Sequence, residues 1–206
     1  MPLQNRVTPF GTLVADGARG EMFGNRGGRI HDPATRRLTG RRWASKAWIC
    51  CVLSFKGRQR SVWGESYTEL FFCDEVTALA AGHRPCFECR RRDALAFQAA
   101  VARGLGLAGP LSAPGMDARL HPERLEIMAG RGAVAAPAEL PDGAMFAIDN
   151  AAFAVRGRRA LRWSAGGYGH AAPLPARPVR VLTPPTTLAA LRAGYAPLWH
   201  SSAPQG

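Results

Sequence analysis

The chain has 206 residues, 47% of them hydrophobic, which is enough for one medium domain or two small ones with a real core. No apolar run approaches the roughly 18–20 residues of a membrane span, which excludes a spanning helix, and no membrane partner is expected. Its formal charge of +12 is carried by 27 Lys/Arg, 25 of them arginine, against 15 Asp/Glu, and it is uneven: residues 1–63 hold 12 cations against 3 acids.

That basic half suits a phosphate-rich partner, DNA or RNA, because neutralising phosphates releases counterions. A GC-rich coding sequence, which raises Arg, Ala, Gly and Pro together, accounts for the charge equally well. The opening Met1-Pro2-Leu3-Gln4-Asn5-Arg6 has no charged-then-apolar signal pattern, so a cytoplasmic location is expected. Residues 7–14 read as a short strand in a loop-rich stretch. The segment Gly20–Asp32, with four glycines, Arg26 and Arg29, reads as a flexible loop whose amides could form an anion-binding nest. It lacks the Lys-Ser/Thr ending of a P-loop. His31-Asp32 closes it and offers a metal ligand, a base or a plain turn. Next, Arg41, Arg42 and Lys46 surround Trp43, a pattern that serves phosphate and base contact or a basic rim over a buried ring.

Residues 47–56 read as a buried strand that turns at Gly57 into a return strand over 58–63. A second apolar strand spans 67–73. Asp74 then caps a short helix that runs to about Ala81 and is stopped by Gly82. Residues 93–103 form another helix, with Leu95, Ala96, Ala99 and Ala102 on one face. Residues 104–115, rich in Gly and Pro, are the best boundary. Beyond it come a helix over 116–128, a small β-meander from Met145 to Trp163, loop over 164–178, a strand at 179–182 and a final helix to Arg192. Ala193-Gly194-Tyr195-Ala196-Pro197 restates Ala81-Gly82-His83-Arg84-Pro85 after a similar strand and helix. Duplication and chance both explain it.

The five cysteines are an odd number with two adjacent, which fits a reducing compartment better than a disulfide framework. Cys86-x-x-Cys89, entered through Gly82 and Pro85, has metal-knuckle spacing, and Zn2+ is the expected ion. A tetrahedral site needs two more ligands from elsewhere in the chain. Neighbouring strand residues face opposite ways, so at most one of Cys50 and Cys51 can serve; Cys51 is the first choice and His31 the best nitrogen, with Cys50, Cys73 and His200 as rivals. Thiol redox chemistry competes, although the pair follows a helix and a turn instead of opening a helix from a strand.

Phe71-Phe72-Cys73-Asp74-Glu75-Val76-Thr77-Ala78-Leu79-Ala80-Ala81-Gly82-His83-Arg84-Pro85-Cys86-Phe87-Glu88-Cys89 resembles the second half of the Ada-type DNA-repair metal-binding domain. That family shows a strand, a helix ending Ala-x-Gly-aromatic-Arg-Pro, and Cys-x-x-Cys. The resemblance covers about residues 67–92. It implies Cys86 and Cys89 as zinc ligands and contact with DNA; in the family one zinc-bound thiolate accepts a methyl group from a damaged phosphate. The family's upstream Cys-x-x-x-Cys is absent here, so a zinc fold with DNA affinity is what carries over.

The expectation is therefore an α+β protein. A zinc-stabilised part of strands and two helices (1–104) precedes a small β-rich part closed by a C-terminal helix (116–206), and the two can pack as one body. The metal set is Cys86, Cys89, Cys51 and His31. Nucleic acid would meet Arg26, Arg29, Arg41, Arg42, Lys46, Arg84, Arg90 and Arg91, within the arginines of 26–60 and 84–92. Two alternatives stand: a metal-dependent hydrolase or nuclease using His31 and Asp32, or a structural zinc module for protein–protein contact. Weaker options are His121 with Glu123 as catalytic groups and Trp163 with Tyr168 as a stacking platform.

Overall fold

Alternation of side chains along three strands decides the architecture. A computed structural model describes residues 1–58 and 61–204. Strands β1 (Arg6–Val7) and β2 (Leu13–Val14) form a small hairpin. Strand β3 (Met22–Arg26) pairs antiparallel with β6 (Trp48–Val52) and with β7 (Leu70–Phe72). Between them, β4 (His31–Asp32) and β5 (Arg37–Leu38) make a separate two-stranded ribbon. With the short β8 (Arg84–Pro85) the first sheet runs β2-β1-β7-β3-β6-β8.

On one face of this sheet lie Met22, Gly24 and Arg26, Trp48 and Cys50, Leu70 and Phe72, all buried. On the other lie Phe23 and Asn25, Ile49 and Cys51, Glu69 and Phe71. The glycine-rich segment expected as a loop thus contains a central strand. Gly24 is what admits it: a Cβ there would sit 1.9 Å from the Ile49 carbonyl oxygen on β6.

Helix α1 (Glu75–Ala80) packs on the buried face. Asp74 caps it by accepting from the Thr77 N–H at 2.8 Å, and Gly82, at φ +78°, ends it in the left-handed region. Helix α2 (Arg91–Gly104) buries Ala94, Phe97, Ala100 and Val101 and leaves Leu95 45% exposed, so its inward face is rotated from the expected one. The bulk of Phe97, absent from the expected stripe, sets that rotation; burying it contributes about 1.5–3 kcal/mol. Helix α3 (Ala113–Met128) starts at Ser112, whose hydroxyl accepts from Gly115 N–H.

The second sheet has β9 (Val134–Ala135), β10 (Met145–Ile148), β11 (Ala151–Arg156), β12 (Arg159–Ser164), β13 (Gly167–Pro173) and β14 (Val179–Val181), in the order β13-β12-β11-β10-β14-β9. The meander appears as expected, but 167–173 is a full strand, where its glycines and proline suggested loop. Pairing with β12, with a register shift between Leu161 and Trp163, overrides composition. Helix α4 (Pro185–Arg192) closes the chain, and Gly194 repeats the Gly82 turn at φ +91°. Among the described residues the fold is α+β, with four α-helices and three sheets.

One core joins both sides of the 104–115 connector: Leu79 and Phe97 pack with Met116, Phe146, Val179 and Leu188. The C-terminal stretch is strapped to the start of α1. Asp74 accepts from Tyr168 Oη and the His200 N–H; Glu75 accepts from Tyr195 Oη, the Leu198 N–H and Arg90. Of the expected return strand, 59–60 lie outside the described residues; 61–63 are turn. Among the described residues no helix is long and apolar enough to cross a membrane.

Candidate metal centre and adjoining cleft

Cys51 is brought to the knuckle by parallel pairing of β6 with β8. Cys50 opposes Pro85, and the Cys86 N–H donates to the Cys50 carbonyl at 3.0 Å. That register sends Cys51 outward beside Cys86, while Arg90 N–H donates to Cys86 O and closes the knuckle turn. The ligand atoms of Cys51, Cys86 and Cys89 all lie within 4.8 Å of one another. Bonds of about 2.3 Å in a tetrahedron place sulfurs about 3.8 Å apart, so a small contraction suffices to hold a metal ion. The Glu88 N–H points at Cys86 Sγ, 3.4 Å away, which offsets thiolate charge. S–H donation from Cys51 and Cys89 holds the Cys86 thiol far below its usual range, while Cys51 is pushed well above it by sharing with the same two sulfurs. Three thiols this close can exchange their protons for a cation.

All three cysteines border a cleft of about 240 Å³. Its walls are aromatic and aliphatic, among them Phe23, Phe55, Tyr67 and Phe71, with Asn25 and Glu69 as buried polar groups and an Arg58–Glu88 ion pair (2.7 Å) at the edge. Glu69 is 4% exposed; its Oε2 accepts from the Trp63 N–H at 2.8 Å, and its Oε1 has no hydrogen-bond partner among the described residues. Sequence reading passed over Glu69, although a lone acid in an otherwise apolar strand was a visible signal.

His31 is elsewhere. Its Nδ1 is 2.7 Å from Thr68 Oγ1, its Nε2 2.9 Å from the Gly64 carbonyl, and its ring stacks on Trp63. Both nitrogens are occupied by the 63–68 loop, so His31 does not complete the sulfur group. Asp32 accepts from the Ala34 and Thr35 N–H groups, an exposed turn contact with no catalytic partner. Cys50 is fully buried on the opposite face, where burial first and Glu75 second raise its pKa. Cys73 is buried at the head of α1, and His200 bonds Ser202. Glu123 caps α4 by accepting from Thr186, while His121 meets Arg124 and Trp43. Trp163 donates to Thr77 and Tyr168 to Asp74, which makes both of them packing residues, not a platform.

Three of the arginines expected on the surface are inside. Arg84 forms a two-pronged pair with Asp117, both contacts 2.8 Å. Arg90 bonds Glu75 and Asp93. Arg26 lies 4.0 Å from the Trp48 ring centre and donates to the Gly11 carbonyl; Arg124 lies 4.2 Å from the same ring. Burial lowers both of the latter to about 9. Arg29, Arg41, Arg42, Lys46 and Arg91 are exposed. Arg29 and Arg41 line a broad depression of about 620 Å³ with Thr39 and Asp32.

Comparison of the chain with models of known families, with curated proteins and with solved structures finds no match.

Proposed function

We propose that this is a zinc–thiolate protein that engages DNA or RNA through its arginine-rich surface, with DNA repair as its setting and the cytoplasm as its compartment. The observation that carries the reading is the meeting of Cys51, Cys86 and Cys89 beside a cleft whose border reaches Arg29 and Arg36. The 61–69 loop links the two: Val62 lines the cleft and accepts from Arg36, while Glu65 pairs with Arg29. Thiolate sulfur favours zinc over magnesium or calcium. Three protein ligands leave one coordination position, the pattern of a working site more than of a closed structural one. The resemblance of residues 67–92 to Ada-type domains adds to this, as do five free cysteines.

Two measurements test the reading. Purified protein should carry one zinc per chain by elemental analysis. Its binding to duplex or single-stranded DNA should weaken steeply between 50 and 200 mM salt, as expected for several phosphate contacts. Zinc with no salt-sensitive nucleic-acid binding would favour the protein–protein module instead. A hydrolytic reading, if kept, must draw on Glu69 at the cleft, because His31 and Asp32 are not at the metal group.

A further inference from the structure

We propose that the point where the 41–46 loop meets helix α3 is a phosphate site, with Arg42, Lys46 and the His121 Nε2–H as its donors, and that on a nucleic acid it holds one backbone phosphate. This deepens the function proposed above and rests on it. The first observation is charge buried without a counter-charge. Arg26 and Arg124 are each 1% exposed, and neither forms an ion pair among the described residues. Burial first, then Arg124 and Arg42, lower Arg26 to about 9, so it stays charged at neutral pH. Arg124 is also lowered to about 9, chiefly by burial; the acids it feels are committed elsewhere, Asp117 to Arg84 and Glu123 to Thr186. Two cations in a low-dielectric interior project positive potential onto the surface against them, and an anion there relieves it.

Secondly, the loop is fixed against that pair. The Arg26 carbonyl accepts from the Ala44 and Ser45 N–H groups at 2.9 and 3.3 Å, and the Lys46 carbonyl accepts from Arg124 Nη2 at 2.7 Å and from the Trp48 N–H at 3.0 Å. The Trp48 ring N–H donates to the Ser45 carbonyl. The side chains of Arg42 and Lys46 remain exposed, so the loop presents its cations at little ordering cost. The third observation is His121, half-buried on α3 and 5.2 Å from the Trp43 ring centre. The same Arg124 Nη2 that holds Lys46 lies 3.3 Å from His121 Nδ1. A guanidinium only donates, so Nδ1 accepts and the ring proton sits on Nε2. Burial first, then Arg124 and Lys46, hold this ring below 6.5, which makes it a neutral donor at neutral pH. A fixed N–H flanked by cations is a donor set for a phosphate oxygen. The Arg29–Arg41 depression is the weaker anion site, because Arg29 is already tied to Glu65.

The test uses the full-length, zinc-loaded chain at constant pH and ionic strength. Inorganic phosphate is exchanged for chloride while the ring signals of the five histidines are followed by NMR. The expected result is a saturable shift of one ring, the one whose signal is missing from His121→Ala. No shift of any ring overturns the proposal with the wild-type chain alone, whether or not the variant folds. A shift of His31 instead puts the anion in the Arg29–Arg41 depression and overturns it too. An oligothymidylate strand of about 12 nucleotides is the second probe. Lys46 is exposed and meets Arg124 only through its backbone, so Lys46→Ala should keep its melting temperature. It should weaken strand binding about tenfold and lower the salt slope by about 1. His121→Ala should weaken the strand about tenfold at every salt concentration and leave the slope unchanged, because a neutral donor releases no counterion. Phosphate binding without strand binding supports the site, assigns it to free phosphate or a phosphomonoester, and removes the proposed function. Salt-dependent strand binding with an unmoved His121 ring and an unchanged slope in Lys46→Ala removes the site and leaves that function.

Discussion

The two faces of one sheet are built on opposite plans. Strand β6 shows it in consecutive residues: Trp48 and Cys50 point into the helix-packed side, Ile49 and Cys51 into the cleft. The inner face buries charged groups and packs or pairs them, with Arg26 and Arg124 on Trp48, Arg84 on Asp117 and Arg90 on Glu75, while His83 has no hydrogen-bond partner among the described residues. The cleft face instead gathers three cysteine sulfurs within 4.8 Å of one another, a set that could hold a metal ion. Paired polar groups hold a fold together, whereas thiols grouped at a cleft can take a ligand. Adjacent cysteines have different fates here for no reason beyond the two-residue period of a strand.

The sharpest way to break this contrast is to remove a charge from the inner face. Glu75→Ala leaves Arg90 with Asp93 as its one acid and Cys50 Sγ as a weak acceptor, and frees Tyr195 Oη and the Leu198 N–H; it should cost about 3–5 kcal/mol in chemical denaturation. Next in size is the cysteine pair. Cys51→Ser should take zinc from one per chain to none and lower the melting temperature as far as a chelator does. Cys50→Ser should keep its zinc and lose about 1–3 kcal/mol for a poorly matched buried hydroxyl. Equal zinc loss in both variants would mean the two faces are not distinct at this strand.

A pH titration sharpens the comparison further. His83 is fully buried among Trp48 and Phe72, and neither ring nitrogen has a hydrogen-bond partner among the described residues. Burial first, then Arg26 and Arg124, hold its pKa well below 6.5. The unfolded chain therefore binds this proton and the folded chain does not. Stability is complete above pH 6.5 and falls by about 1.4 kcal/mol per pH unit below it, until the folded pKa is reached. His83→Phe should flatten that slope. The smallest effect on stability belongs to the surface. Arg41→Ala, Arg42→Ala and Lys46→Ala together should move unfolding by about 0.5 kcal/mol or less, yet reduce the salt slope of nucleic-acid binding by about 2–3.

Much of the site was legible before the fold. The knuckle, its helix and the capping Asp74 follow from local spacing, and strand alternation allows only one of Cys50 and Cys51, with Cys51 the first choice; the β6–β8 register decides for Cys51. Distance hid the rest. Nothing near Arg84 in sequence announces Asp117, 33 residues on, and nothing near Arg90 announces the Glu75 that buries it. Basic composition alone therefore overstated the surface by three arginines. Arg124 was findable in principle, since it shares the inward face of α3 with Leu120 and Ile127. His31 failed as a ligand because residues 63–68, whose ends read as strands, instead fold back over both its nitrogens through Gly64 and Thr68. Strands β3 and β13 were missed for one reason: glycine-rich segments form strands when neighbouring backbones supply the pairing.

The central claim is a zinc ion held by Cys51, Cys86 and Cys89 with its fourth position toward the cleft. X-ray absorption at the zinc edge of the purified protein tests it most directly. The account predicts three sulfur neighbours at about 2.3 Å and one lighter oxygen or nitrogen neighbour at about 2.0–2.2 Å. A shell of four sulfurs, or a fully folded protein that takes up no zinc, would contradict it.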